Sequence, residues 1–203
     1  MNRWYRSRVQ YYLQVLSVPG LLLGLLSLMM AAPGVAATEG ALWQALRGGG
    51  HAALLRHAIA PGTGDPENFL IDDCGTQRNL SDEGRDQAAR IGARFRANGI
   101  ERADVFSSQW CRCLDTARRL DLGNVKPLPI LNSFFGRYDR RDEQTAALSA
   151  WLNEAKLDRP IVLITHQVNI SALTGIHPTS GELVIVRVDN DGAISVTGTI
   201  EPD

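Results

Sequence analysis

The sequence has no surplus of charge of either sign. Its 203 residues carry 21 basic and 22 acidic side chains, a formal net charge of −1. That balance argues against a dedicated nucleic-acid binder, which carries a strong basic excess. There is no internal repeat, no low-complexity tract and no linker, and 44% hydrophobic with 21% charged residues excludes a disordered or collagen-like chain. Cysteine is confined to Cys74, Cys111 and Cys113, so the N-terminal region holds no lipid-attachment cysteine. Nowhere do carboxylates cluster in a way that suits Mg²⁺.

What is present is unevenly spread. Residues 1–37 contain Arg3, Arg6 and Arg8 and no acidic residue. An apolar run follows, broken by Pro19 and densest from Leu21 to Ala32, then Pro33, Gly34 and the small residues Val35-Ala36-Ala37. A positive start, an apolar middle and a small-residue exit describe a secretory signal peptide, with cleavage expected after Ala37. The apolar stretch is nearly long enough for a permanent anchor, but Pro19, Pro33 and the small exit residues favour cleavage. The expectation is therefore a signal peptide over 1–37 and one domain over 38–203, located in the periplasm or secreted. Three of the 21 basic residues leave with the leader, so the remainder holds 18 against its 22 acidic ones. A mildly acidic exported domain has no reason to bind nucleic acid or to stay inserted in a membrane.

Along the mature part, strand signals alternate with helix signals. Thr38 caps a short helix to Arg47, stopped by three glycines, and His51–Arg56 reads as a short buried strand. Residues 58–79 form a long polar connection, a length that is usually functional. Ser81 is an N-cap with Asp82 and Glu83 in the first turn, opening a helix to about Asn98, with Ala88, Ile91 and Phe95 on one side. Strand 103–107, helix 111–120, a weak strand at 126–128, helix 142–156 and the apolar strand Ile161–Thr165 follow. A short helix after His166 and two strands, 182–189 and 193–200, complete the chain. The expected fold is α/β: a three-layer α/β/α sandwich with a mostly parallel sheet and an antiparallel edge hairpin.

In such a sheet, ligands bind beyond the carboxyl ends of the strands. The first strand ends in Leu55-Arg56-His57-Ala58, the second in Ser107-Ser108 leading to Arg112, and the fourth in Thr165-His166. Two imidazoles and two guanidiniums at three strand ends suit a phosphate. Arginine offers permanent planar donors, and a histidine opening a helix adds another beside free backbone N–H groups. The second histidine, held neutral by neighbouring positive charge, can attack phosphorus.

These blocks, Leu55-Arg56-His57-Ala58, Ser107 to Ala117 and Thr165-His166, together with Gln77 to Ala88, resemble the histidine phosphatase superfamily, the phosphoglycerate mutase-like proteins. The resemblance spans about residues 51–188. It implies a phosphoglycerate mutase-like fold, His57 as the nucleophile that becomes a phosphohistidine, and Arg56, Arg112 and His166 as the groups holding the phosphoryl oxygens. Arg78 is a further substrate-binding candidate, and no cofactor or metal is implied. The general acid departs from the family pattern, since Ser133 and Gln167 stand where relatives carry Glu or Asp. Glu182 is the leading substitute and Asp65 the second.

A disulfide from Cys74 to Cys111 or to Cys113 would tie the long loop to the arginine-bearing helix, with Cys111 preferred. Zinc held by these thiols is the competing idea, lacking a fourth ligand at any familiar spacing. The expected function is a metal-independent, acid phosphatase-like phosphoric monoester hydrolase acting on a phosphorylated small molecule or envelope sugar. The alternatives are a non-catalytic phosphate- or anion-binding module on the same fold, and a phosphomutase. Loop 58–79 and Phe134 to Tyr138 are the expected substrate walls; the oligomeric state is left open.

Overall fold

The computed structural model describes residues 37–202. The expected leader, except for Ala37, lies outside the described residues. Six strands form one sheet: β1 (His51–Arg56), β2 (Asp104–Ser107), β3 (Val125–Pro127), β4 (Ile161–Thr165), β5 (Leu183–Val188) and β6 (Ile194–Ile200). Their spatial order is β3-β2-β4-β1-β5-β6. The first four in that order run parallel, and β5 and β6 add an antiparallel edge. The helices are α1 (Glu39–Gly48), α2 (Asp82–Ala97), α3 (Cys111–Leu120), α4 (Arg141–Glu154) and α5 (Gln167–Thr174).

Alternation along β1 divides the core in two. Ala53 and Leu55 face one layer with Leu42, Trp43 and Leu46 of α1, Ile91 and Phe95 of α2, and Ala117 and Leu120 of α3. Ala52 and Leu54 face the other with Leu148 and Leu152 of α4 and Ile170 of α5. Period-2 side-chain direction in a strand covered on both faces produces this pattern, which is why β1 and β4 read as uninterrupted apolar runs. Ser81 caps α2 as expected, its hydroxyl accepting the Gly84 N–H at 3.0 Å. Gly92 lets α2 lie directly on α3, since a Cβ there would stand 2.1 Å from the Leu120 carbonyl oxygen.

The expected elements are present with ends shifted by up to two residues, and the weak third strand is real at Val125–Pro127. The long connection after it holds two single 3₁₀ turns that sequence periodicity does not reveal, at Pro129–Leu131 and Tyr138–Arg140. Among the described residues, no helix is long and apolar enough to cross a membrane.

Candidate active site

Sheet order explains why distant residues meet. β2, β4 and β1 are consecutive neighbours and parallel, so their carboxyl ends share one rim. Arg56 pairs in register with Thr165, and each is followed at once by a histidine. The His57 N–H donates to the Thr165 carbonyl at 3.0 Å, and the Ser108 N–H to that of Ile164 at 2.9 Å. The rim is thus an extension of the ladder.

The two rings, His57 and His166, lie edge to face with centroids 5.5 Å apart. His57 is 3% exposed, and its Nδ1 lies 2.8 Å from the carbonyl oxygen of Ala58. A carbonyl only accepts, so Nδ1 carries the proton and Nε2 keeps its lone pair. Burial, then the charges of Arg112, Arg78 and Arg56, pull the His57 pKa from 6.5 to about 3, with the Ala58 hydrogen bond opposing them. The ring is therefore neutral throughout the physiological range.

His166 opens α5 and is equally buried. Its Nε2 lies 2.9 Å from Ser108 Oγ and 3.5 Å from Cys113 Sγ. Burial, then the charges of His57 and the arginines, drive its pKa well below the ordinary value. Ser108 is itself fixed by Asn132, whose Oδ1 accepts from Ser108 Oγ at 3.2 Å and from the Gln109 N–H at 2.9 Å. Burial pushes the Cys113 thiol up to about 12, so it meets His166 as a neutral group. Asn132 and Cys113 are parts of the site that sequence reasoning missed. The only signal was their place, one beside the expected acid position and one a step beyond Arg112.

Arg56 donates Nη1–H to the Pro178 carbonyl at 2.8 Å. Arg112 is 3% exposed and grips Asp65 with both Nη atoms, at 2.7 Å to Oδ1 and 3.1 Å to Oδ2. The Nε atoms of both arginines are buried and have no acceptor among the described residues. Buried N–H groups of a permanent cation are costly to leave unmet. Both arginines line the same cleft as His57. Arg78 also lines the cleft, but its Nε donates to the Gly64 carbonyl at 2.8 Å and its Nη1 to that of Ala60. Its guanidinium thus holds the long loop as well as facing the site.

Of the expected residues, Arg56, His57, Arg112, His166, Arg78 and Asp65 line one cleft of about 600 Å³. Glu182 does not line it. Its carboxylate is buried and accepts the Thr179 N–H at 2.8 Å and the Thr179 hydroxyl at 3.2 Å, closing the turn before β5. The backbone of that turn receives the Arg56 N–H, and the Glu182 charge favours the Arg56 cation. The carboxylate expected to donate a proton thus stands in the turn before β5, outside the cleft lining. The cleft walls combine Gly62 to Pro66 and Phe69 with Trp110, Phe135, Gly136, Arg137 and Arg140. Phe134 is buried instead, and Tyr138 is exposed outside the cleft lining.

Cys74 and Cys111 form a disulfide with Cα atoms 5.7 Å apart, and Cys113 is free and buried. This settles the choice left open by spacing and removes two thiols from any zinc site. Among the described residues no group of three or more His, Cys, Asp or Glu is placed to hold a metal ion. The bridge joins the long loop to the start of α3, where Gln77 Oε1 also accepts the Cys111 N–H at 2.9 Å.

Residues 54–154 match the family described as the histidine phosphatase superfamily, branch 1. No curated protein matches the chain in sequence. Among solved structures, the protein histidine phosphatase SixA complexed with tungstate is 18% identical, with 75% of this chain and 97% of that one covered at a TM-score of 0.53. A candidate alpha-ribazole-5'-P phosphatase from Escherichia coli is 15% identical, covering 72% and 93%, with a TM-score of 0.54. The mycobacterial glucosyl-3-phosphoglycerate phosphatase in complex with VO3 is 18% identical, covering 67% and 92%, with a TM-score of 0.50. These likenesses establish a shared fold.

Proposed function

The chain belongs to the histidine phosphatase superfamily, and on that premise we propose that it is an exported phosphatase. Family membership supports phosphatase activity in general. The finer reading is hydrolysis of a phosphate monoester of a small molecule or an envelope sugar, without metal, through a phosphohistidine on His57. The observation that carries it is the convergence of Arg56, Arg112, His166 and a neutral His57 on one cleft, with the Nε–H of both arginines unmet among the described residues. The disulfide between Cys74 and Cys111 supports export, because such bonds persist in oxidising compartments.

In the proposed reaction the His57 Nε2 lone pair forms the N–P bond while the ester P–O bond breaks. The electron pair leaves with the ester oxygen, which takes up a proton to give the alcohol. Water oxygen then bonds to phosphorus, the N–P bond breaks, and its electrons return to Nε2; the water proton leaves to solvent. Arg56, Arg112 and His166 stabilise the charge spread over the non-bridging oxygens in both steps. Nδ1 keeps its proton throughout, because the Ala58 carbonyl holds it.

The test is a panel of phosphate esters given to the purified protein, with His57→Ala as control. Turnover of at least one ester and an acid-labile phosphoenzyme are expected for the wild type and neither for the variant. Undiminished turnover by pure His57→Ala protein sinks the assignment. Phosphate binding without any phosphoenzyme selects the anion-binding module instead.

A further inference from the structure

Asp65 is the sole carboxylate among the described residues that line the cleft, and all its lone-pair directions are spoken for. Oδ1 accepts from Arg112 Nη1 at 2.7 Å and from the Arg78 backbone N–H at 3.1 Å. Oδ2 accepts from Arg112 Nη2 at 3.1 Å and from the Trp110 indole N–H at 3.0 Å. A guanidinium is a flat plate with separate donor edges. Asp65 takes the far edge, formed by the two Nη atoms, while the Nε–H of the side edge has no acceptor among the described residues.

The carboxylate is itself held from behind. Trp110, which donates to it, is stacked on Phe69 with centroids 4.9 Å apart and planes inclined by 22°. Phe69 and Asp65 belong to the same loop, and the bridge from Cys74 to Cys111 fastens that loop beside Arg112. Three elements of the long connection thus bear on one arginine.

We propose that Asp65 is a positioning residue that clamps the outer edge of Arg112 and aims its Nε–H edge at the phosphoryl group, and that it does not donate a proton to the leaving group. The proposal rests on the phosphatase reading and gives the cleft carboxylate a structural duty in transition-state binding. Burial alone would raise the Asp65 pKa, but the Arg112 contacts, with the Arg78 and Trp110 N–H groups, hold it below the ordinary carboxylate range. The clamp therefore stays charged when phosphate binds on the other edge.

The experiment compares wild type with Asp65→Asn on aryl phosphates whose phenols range from strongly to weakly acidic, and measures inorganic phosphate binding by calorimetry. Asparagine keeps the shape and one acceptor oxygen, toward Trp110, but loses the charge and sets an NH2 group against the Arg112 Nη1 and Arg78 donors. Misaiming a catalytic group by about 1 Å costs on the order of 100-fold in rate. A loss of kcat/KM of that order, equal for every ester, is expected, together with weaker phosphate binding. A loss that grows with the basicity of the phenol and disappears for the most acidic one would show that Asp65 donates a proton, and overturns the proposal. Unchanged or tighter phosphate binding overturns it as well, because Asp65 would then be blocking Arg112.

Trp110→Phe keeps the ring stack but removes the indole donor, and guards against misfolding of the first variant. About a tenfold loss, again uniform across the esters, is expected from one hydrogen bond to a charged group; no loss counts against the clamp. If wild type hydrolyses no ester, the phosphatase reading fails on its own, and the calorimetric comparison still decides the role of Asp65.

Discussion

A buried neutral imidazole, that of His57, makes the protein vulnerable to acid in a calculable way. In the unfolded chain the His57 imidazole takes up a proton below about pH 6.5, whereas in the native protein it resists until about 3. The unfolded state therefore binds more protons between those values. The contribution of His57 to stability is fully present above 6.5 and is lost as pH falls toward 3. At pH 5 the unfolded imidazole is almost wholly protonated and the native one almost wholly neutral, a loss of about 2 kcal/mol relative to pH 7.5. His166, also buried and also pulled down, adds to the loss in the same direction. Urea unfolding at pH 7.5 and 5 measures it, and pH 5 is mild enough to keep the carboxylates ionised. His57→Gln, uncharged and of similar size, is expected to remove about 2 kcal/mol of the pH dependence. An identical pH dependence in variant and wild type refutes the reasoning, as does an imidazole NMR titration of His57 centred near 6.5.

Two further outcomes follow from the framework of the fold. Reducing the Cys74–Cys111 bridge, which spans 37 positions, is expected to lower stability by about 4 kcal/mol on the chain-entropy account. Urea midpoints with and without reductant test this, and thiol titration of unfolded, unreduced protein should count one thiol, that of Cys113. Gly92→Ala places a methyl group 2.1 Å from the Leu120 carbonyl oxygen and forces α2 away from α3. A loss of roughly 1–3 kcal/mol is expected from such overpacking, and an unchanged urea midpoint contradicts it.

The sheet and most of the site were legible because their determinants are local. Ile161 to Thr165 is apolar on both faces because β4 is central, and Ser81 announces the start of α2 through its own hydroxyl. Arg56, His57, Arg112 and His166 were readable as a group because strand ends in a parallel sheet must share a rim. The duty of Glu182 was not readable. Its carboxylate turns back onto Thr179, three residues away, a local bond that competes with any reach toward the cleft. The partners of Asp65 were not readable for the opposite reason: Arg112 and Trp110 lie 47 and 45 positions onward, across a loop with no periodicity to betray its path. The placement of the His57 proton depends on one backbone carbonyl, which no residue type announces.

The register between Arg56 and Thr165 has a consequence for how such a site can change over generations. Slipping β4 by one residue against β1 would exchange the side chains that face the two packed layers and misfit both cores. The spacing between the two imidazoles is thereby insulated from drift, as invariable as the core. The cleft wall after β3, formed by Phe135, Gly136, Arg137 and Arg140, carries no such constraint. Selection can remodel that wall while the two imidazoles stay where they are.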